Sequence, residues 1–277
     1  KRDNPYLSED VVLIRAMRDR NVPKFLSDDL PLFFGIITDL FPGVEVPYQD
    51  TGDLETAIFR EIHHAGLQVE SLFIKKTIQL YETMQVRFGV TIVGDTGAGK
   101  TTAYQVLAKS MTTLRTEGTD NDAFQIVHMN VLNPKCITMG ELYGEMNEIT
   151  QEWKDGLGSS LIRAAVLDET LDRKWIIFDG PIDALWIENM NTVLDDNMTL
   201  CLANSERIKL RQELRMLFEV KDLDVASPAT VSRLGVVYMT PSDLGWLPPV
   251  ESWSTKQMKN VNKVFMNRIM THIRLYV

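Results

Sequence analysis

The stretch "VTIVGDTGAGKTTAYQVL", Val90 to Leu107, decides the fold. Its opening is a short, apolar, β-branched run that reads as a strand, and its second half carries helical apolar spacing. Between them, Gly94, Asp95, Thr96, Gly97, Ala98, Gly99, Lys100 and Thr101 fit the spacing GxxxxGK[ST]. A chain that turns through glycines from strand to helix can aim successive backbone N–H groups, and the positive helix end, at one anion. Glycines keep Cβ atoms out of the way. The spacing predicts a phosphate cradle for ATP or ADP, in which Lys100 neutralises the outer phosphates and the Thr101 hydroxyl is offered to Mg²⁺. Gly99 and Thr102 are expected beside the inner phosphates through backbone contacts.

Outward from this stretch, short apolar strands alternate with helices. "FQIVHMN", "KWIIFDG", "LRMLFEV" and "GVVYM" read as further strands, and helical patterns such as "SLIRAAVLDETL" and "DALWIENMNTVL" separate them. That rhythm predicts an α/β fold with a five-stranded parallel sheet between helices. "MTLCLANSERIKL", with two apolar arms around a polar centre, predicts an inserted hairpin. The segment between the second and third strands carries an insertion, with irregular stretches on either side of a helix over "MGELYGEMNEI". Upstream, "EDVVLIRAMRD" is amphipathic, "DDLPLFFGIITDLFPG" predicts a buried helix ended by Pro42-Gly43, and two longer helices follow. "LGWLPPVESWSTKQMKNVNKVF" begins as a Pro-broken linker and then turns helical.

A phosphate site of this kind needs an acid at the end of a neighbouring strand to hold the metal's water shell. Asp179 closes "KWIIFDG" at the carboxyl end, where ligands of open α/β sheets bind. The next residues are Gly180 and Pro181. Glycine has no side chain to orient an attacking water, so the sequence supports binding and not hydrolysis; Asp183 and Glu188 are the substitutes within reach along the chain.

The 277 residues are 44% hydrophobic and 24% charged, an ordinary globular balance. A net charge of −9 argues against nucleic acid as a partner. No apolar run reaches the roughly 20 residues of a membrane span, so no membrane partner is expected. The first residue is Lys, which reads as a piece of a longer chain. Cys136 and Cys201 lie far apart without a CxxC pattern, as two reduced thiols of a cytosolic protein would. His63 and His64 do not share a helix face and are not expected to bind metal.

"KWIIFDGPIDALWIENMNTVLDDN", "SPATVSRLGVVYM" and "LPLFFGIITDLFPG" closely resemble the second AAA+ module of a dynein heavy chain, and the match runs through essentially the whole chain. "CLANSERIKL" is similar to axonemal, inner-arm forms. The resemblance implies an AAA+ P-loop fold. Residues 1–26 would be the tail of the preceding module's small lid, 27–245 the large nucleotide-binding subdomain, and 246–277 a linker and the start of a truncated helical lid. It implies a six-module ring that drives movement along microtubules, with this module binding ATP as a structural or regulatory ligand. Neighbouring modules and the motor's linker are the implied partners, with intermediate chains, light chains and microtubules meeting other parts of the chain, in cytoplasm or axoneme. By the same resemblance Arg233 is an arginine finger for the preceding module's site. Glu219 stands where family members often place a γ-phosphate-reading Asn. Adenine is expected against Leu30 to Phe34, with Leu32 and Phe33 in contact. Two other readings stay open: an autonomous P-loop ATPase using Asp183 or Glu188 as base, and a scaffold whose pocket stays empty.

Overall fold

Every residue of the strand Gly89–Val93 (β1) is buried, as a central strand covered on both faces must be. A computed structural model of the chain describes residues 8–22, 25, 29–44, 52–119, 121–147, 149–195, 197–257, 265 and 268–272. Ahead of β1 come α1 (Glu9–Asn21), α2 (Leu30–Leu40), α3 (Gly52–His64) and α4 (Ser71–Val86). After it come α5 (Lys100–Thr116), β2 (Val127–Leu132), α6 (Met139–Tyr143), β3 (Gly144–Met146), β4 (Trp153–Asp155) and α7 (Leu157–Leu167). β5 (Arg173–Asp179), α8 (Ala184–Glu188), α9 (Asn191–Leu194), β6 (Thr199–Cys201), β7 (Arg207–Lys209) and β8 (Leu214–Val220) follow. The described elements end with α10 (Pro228–Arg233), β9 (Gly235–Tyr238), α11 (Pro241–Leu244) and α12 (Leu247–Gln257).

The main sheet has five strands in the order β2-β5-β8-β1-β9, and every pairing in it is parallel. This is the expected α/β architecture. Side chains alternate across it with the period of two that strands impose. Trp175, Ile177, Leu217, Ile92 and Val237 face one apolar core, built with Leu54, Ile58, Leu80, Leu107 and Met111 of α3, α4 and α5. Ile176, Phe178, Met216, Phe218 and Val236 face the other, closed by Ile162 of α7 and by Trp186, Met190 and Val193. There Phe178 stacks on both Trp186 and Phe218, with centroids 5.5 and 5.1 Å away. With both faces covered, the strand ends are held in register, and the carboxyl ends of β1, β5 and β8 meet at one edge.

The hairpin expected over "MTLCLANSERIKL" is the antiparallel pair β6–β7. Three local expectations are corrected. The helix over "MGELYGEMNEI" stops at Tyr143, and the chain continues as a second hairpin, β3 paired with β4. Its pivot is Gly144 at φ 111, where an added Cβ would stand 2.2 Å from the Trp153 ring. "DALWIENMNTVL" forms two short helices, not one. And α2 is not a buried helix: Leu32, Ile36 and Leu40 are 69%, 49% and 61% exposed, and Ile37 is the one buried residue among those described in it. At the other end α12 begins at Leu247 with Pro248 and Pro249 in its first turn, where proline's missing N–H costs nothing. Residues 1–7 of the expected lid tail and most of 258–277 lie outside the described residues.

Candidate functional site

The cradle begins where β1 ends. Gly94 donates its N–H to the Val220 carbonyl at 3.2 Å. It also passes so close to β9's end that an added Cβ would lie 1.8 Å from the Met239 carbonyl. Only glycine fits there. The loop then turns to Gly99 at φ 83, a left-handed conformation, and α5 starts at Lys100 with Gly99 as its N-cap. Lys100 is buried and donates from Nζ to the Gly94 and Asp95 carbonyls at 2.7 and 2.9 Å. The ammonium is thus held over the loop, ready to be shared with an anion.

A cavity of about 570 Å³ opens at this edge, within the range typical of small-ligand sites. Thr96, Gly97, Gly99, Lys100, Thr101 and Thr102 form its floor. Asp95 points outward beside Lys221, 3.8 Å away, while Ala98 is buried behind the loop. The apolar side is built by Ile62 and Leu67 at the α3–α4 junction, Phe73 of α4, Leu244 of α11, and Pro248 and Pro249 of α12. Ser252 of α12 accepts the Gln68 N–H at 3.0 Å, which ties α12 to that junction.

Leu32 and Phe33 are not among the lining residues. They sit on α2, where Phe33 packs on Phe25 and Phe34, with centroids 5.1 and 5.7 Å away. The structure replaces them with Ile62, Leu67, Phe73 and Leu244 as the apolar wall. Sequence reasoning missed these because they come from α3, the α3–α4 connection, α4 and the distant α11, and no local pattern marks them as one wall.

Asp179 lines the opposite side, next to Gly180 and Pro181. β8 runs between β1 and β5, so its end places Glu219 between the cradle and Asp179. Across the sheet Glu219 is level with Ile92 of β1 and Asp179 of β5. Both Glu219 carboxylate oxygens lie within hydrogen-bond range of Thr101 Oγ1, at 2.7 and 2.9 Å. Burial, chiefly, raises the Glu219 pKa; the Asp179 charge adds to this, while the Thr101 hydroxyl and Lys100 oppose it. Tyr104, beneath the loop, is pushed up to about 12 by burial first and then by Glu219 and Asp179.

The Thr101 hydroxyl and the two carboxylates are hard oxygen donors, the set that suits Mg²⁺, while the glycine loop leaves room for phosphate. A bound cation would supply charge neutralisation for the outer phosphates; Thr101 and Asp179, which line the same cavity, would be the residues to hold it. At Gly180 an added Cβ would lie 2.8 Å from Asn133 Oδ1, and that amide is fixed because it accepts the Lys135 N–H at 2.9 Å. Asp183 and Glu188 are exposed and are not among the lining residues.

Arg233 ends α10, away from this cavity. Its Nε pairs with the Asp195 carboxylate, and one terminal nitrogen donates to the Ala229 carbonyl at 2.9 Å.

Residues 1–101 match the family described as the hydrolytic ATP binding site of the dynein motor region, and residues 89–234 match the AAA domain of the dynein-related subfamily. Dynein axonemal heavy chain 6 of Homo sapiens is 56% identical over 277 residues, 100% of this chain and 7% of that one. Dynein axonemal heavy chain 1 of Homo sapiens is 52% identical over 257 residues, 92% of this chain and 6% of the other. The Dynein-1-beta heavy chain, flagellar inner arm I1 complex, of Chlamydomonas reinhardtii is 47% identical over 253 residues, 91% of this chain and 6% of its own. The chain therefore spans only about 6–7% of the length of these relatives. The dynein-related match runs from the strand that enters the cradle, through the Asp179 and Glu219 strands, to the end of Arg233's helix, and so the chain belongs to the dynein-related AAA family.

Proposed function

We propose that the chain is a nucleotide-holding module of an axonemal dynein heavy chain, which binds ATP (or ADP) with Mg²⁺ and turns it over little or not at all. The observation that carries this reading is the pair Gly180–Asn133. The residue after Asp179 has no side chain to orient water, and the space a Cβ would need is taken by the Asn133 amide at 2.8 Å. Hydrolysis by Asp183 or Glu188 has less support, since neither lines the cavity. The large subdomain is 27–245, flanked by the preceding module's lid tail (1–26) and the start of its own lid (246–277).

Arg233 acts outside this module. In the ring it leaves Asp195 and reaches the nucleotide of the preceding module, where a guanidinium stabilises charge developing on the γ-phosphate. The names of the relatives support a place in the axoneme of a cilium or flagellum. The neighbouring modules and linker of the longer chain are the direct partners. Intermediate and light chains and microtubules meet other parts of it.

Nucleotide affinity and single-turnover hydrolysis, measured on the parent and on Gly180→Glu combined with Asn133→Ala, test this reading. The second substitution is needed because Glu at 180 collides with Asn133; losing Asn133 as the N-cap of the turn Pro134–Cys136 costs about 1 kcal/mol. Tight Mg-ATP binding without product in the parent, and product in the double variant, is the expected result. Steady product in the parent overturns it.

A further inference from the structure

Glu219 touches the cradle directly, through Thr101. A hydroxyl has a single proton. Once Thr101 gives it to Glu219, only lone pairs are left to face the cavity. Thr101 is then oriented as a cation ligand and not as a donor to a phosphate oxygen. Asp179 is level with Glu219 on the adjacent strand, so two carboxylates face the same end of the cavity. A triphosphate entering without a cation meets both charges, with the ammonium groups of Lys100 and Lys221, which also line the cavity, as the opposing charges. With a divalent cation the same charges become favourable. A neutral side chain at 219 would reduce this asymmetry, leaving Asp179 as the remaining carboxylate.

Resting on the reading of this cavity as a nucleotide site, we propose that Glu219 makes nucleoside triphosphate binding conditional on a divalent cation. It does so by orienting the Thr101 hydroxyl and by repelling cation-free triphosphate. Glu219 is a positioning and specificity residue, and its effect is on affinity.

Equilibrium binding of a fluorescent ATP analogue to the purified 277-residue chain, in excess Mg²⁺ and in excess EDTA, tests it. The quantity read is the ratio of the two dissociation constants, compared between the parent and the near-isosteric Glu219→Gln. Lys100→Ala reports binding elsewhere. The parent ratio is expected to exceed that of Glu219→Gln by about tenfold or more, mainly because the variant binds cation-free ATP better. Equal ratios overturn the inference and leave the proposed function standing. Absence of nucleotide binding by the parent in Mg²⁺ overturns both. If thermal melting shows Glu219→Gln to be misfolded, Glu219→Asn, neutral and shorter, reads the same ratio.

Discussion

Phe73 reaches the cavity from the first turns of α4, and Leu244 from the end of α11; an added Cβ on Gly99 would meet their side chains at 3.3 and 3.7 Å. They close the cradle from the apolar side, where a purine would lose water-exposed surface. Phe73 is 7% exposed and belongs to the main core, so truncating it would confuse binding with folding. Leu244 is only partly buried and is the cleaner probe. Leu244→Ala is expected to weaken ATP binding by about tenfold, the equivalent of about 1–2 kcal/mol of lost apolar contact. Leu32→Ala, on exposed α2, is expected to leave ATP affinity within about twofold while removing a comparable side chain. Calorimetric titration of both variants checks the pair, and a large loss at Leu32 would return the base to the α2 segment.

Between α7 and β5 the chain makes a short connection whose charges govern how it responds to acid. Asp168 accepts the Thr170 N–H at 2.9 Å and its hydroxyl at 2.7 Å, and stands 3.3 Å from Nζ of the buried Lys174. These bonds, the Thr170 hydroxyl first, hold the Asp168 carboxyl down at about 2. The unfolded chain titrates an aspartate near about 3.9. A group depressed on folding stabilises the native state above its unfolded value and loses that contribution as pH falls through the folded one. Asp168→Asn is therefore expected to be less stable than the parent at neutral pH, with the gap closing as pH drops from about 4 toward 2. Urea unfolding across a pH series checks this; a gap independent of pH would mean the carboxylate's charge is irrelevant. The consequence is local to this connection, because β5 is otherwise anchored by its buried Trp175, Ile176, Ile177 and Phe178.

At the scale of the molecule, Arg233 and the cavity lie on different parts of the surface, and this separates their roles. The Asp195 pair is half-exposed, with side chains 32% and 39% accessible, so removing it is expected to cost about 1 kcal/mol or less. Arg233→Ala should thus leave ATP affinity and folding of this chain nearly unchanged, yet slow turnover by the longer motor chain. Steady-state hydrolysis by both forms checks it, and unchanged motor turnover would sink the finger assignment. What the sequence by itself determined was the five strands of the main sheet, their α/β class, the glycine turn from Gly94 to Thr101 between strand and helix, and the place of Asp179 at a strand end. These depend on short-range causes: apolar periodicity, glycines where backbone must approach an anion, and a carboxylate at a strand end. The tertiary structure alone decided which strand separates β1 from β5, and so why Glu219 meets Thr101. It alone brought Ile62, Phe73 and Leu244 to one wall, seated Asn133 against Gly180, and left α2 on the surface. The physical reason is that such contacts join residues tens to more than a hundred positions apart. They are selected by how layers bury their apolar faces, which no local pattern encodes.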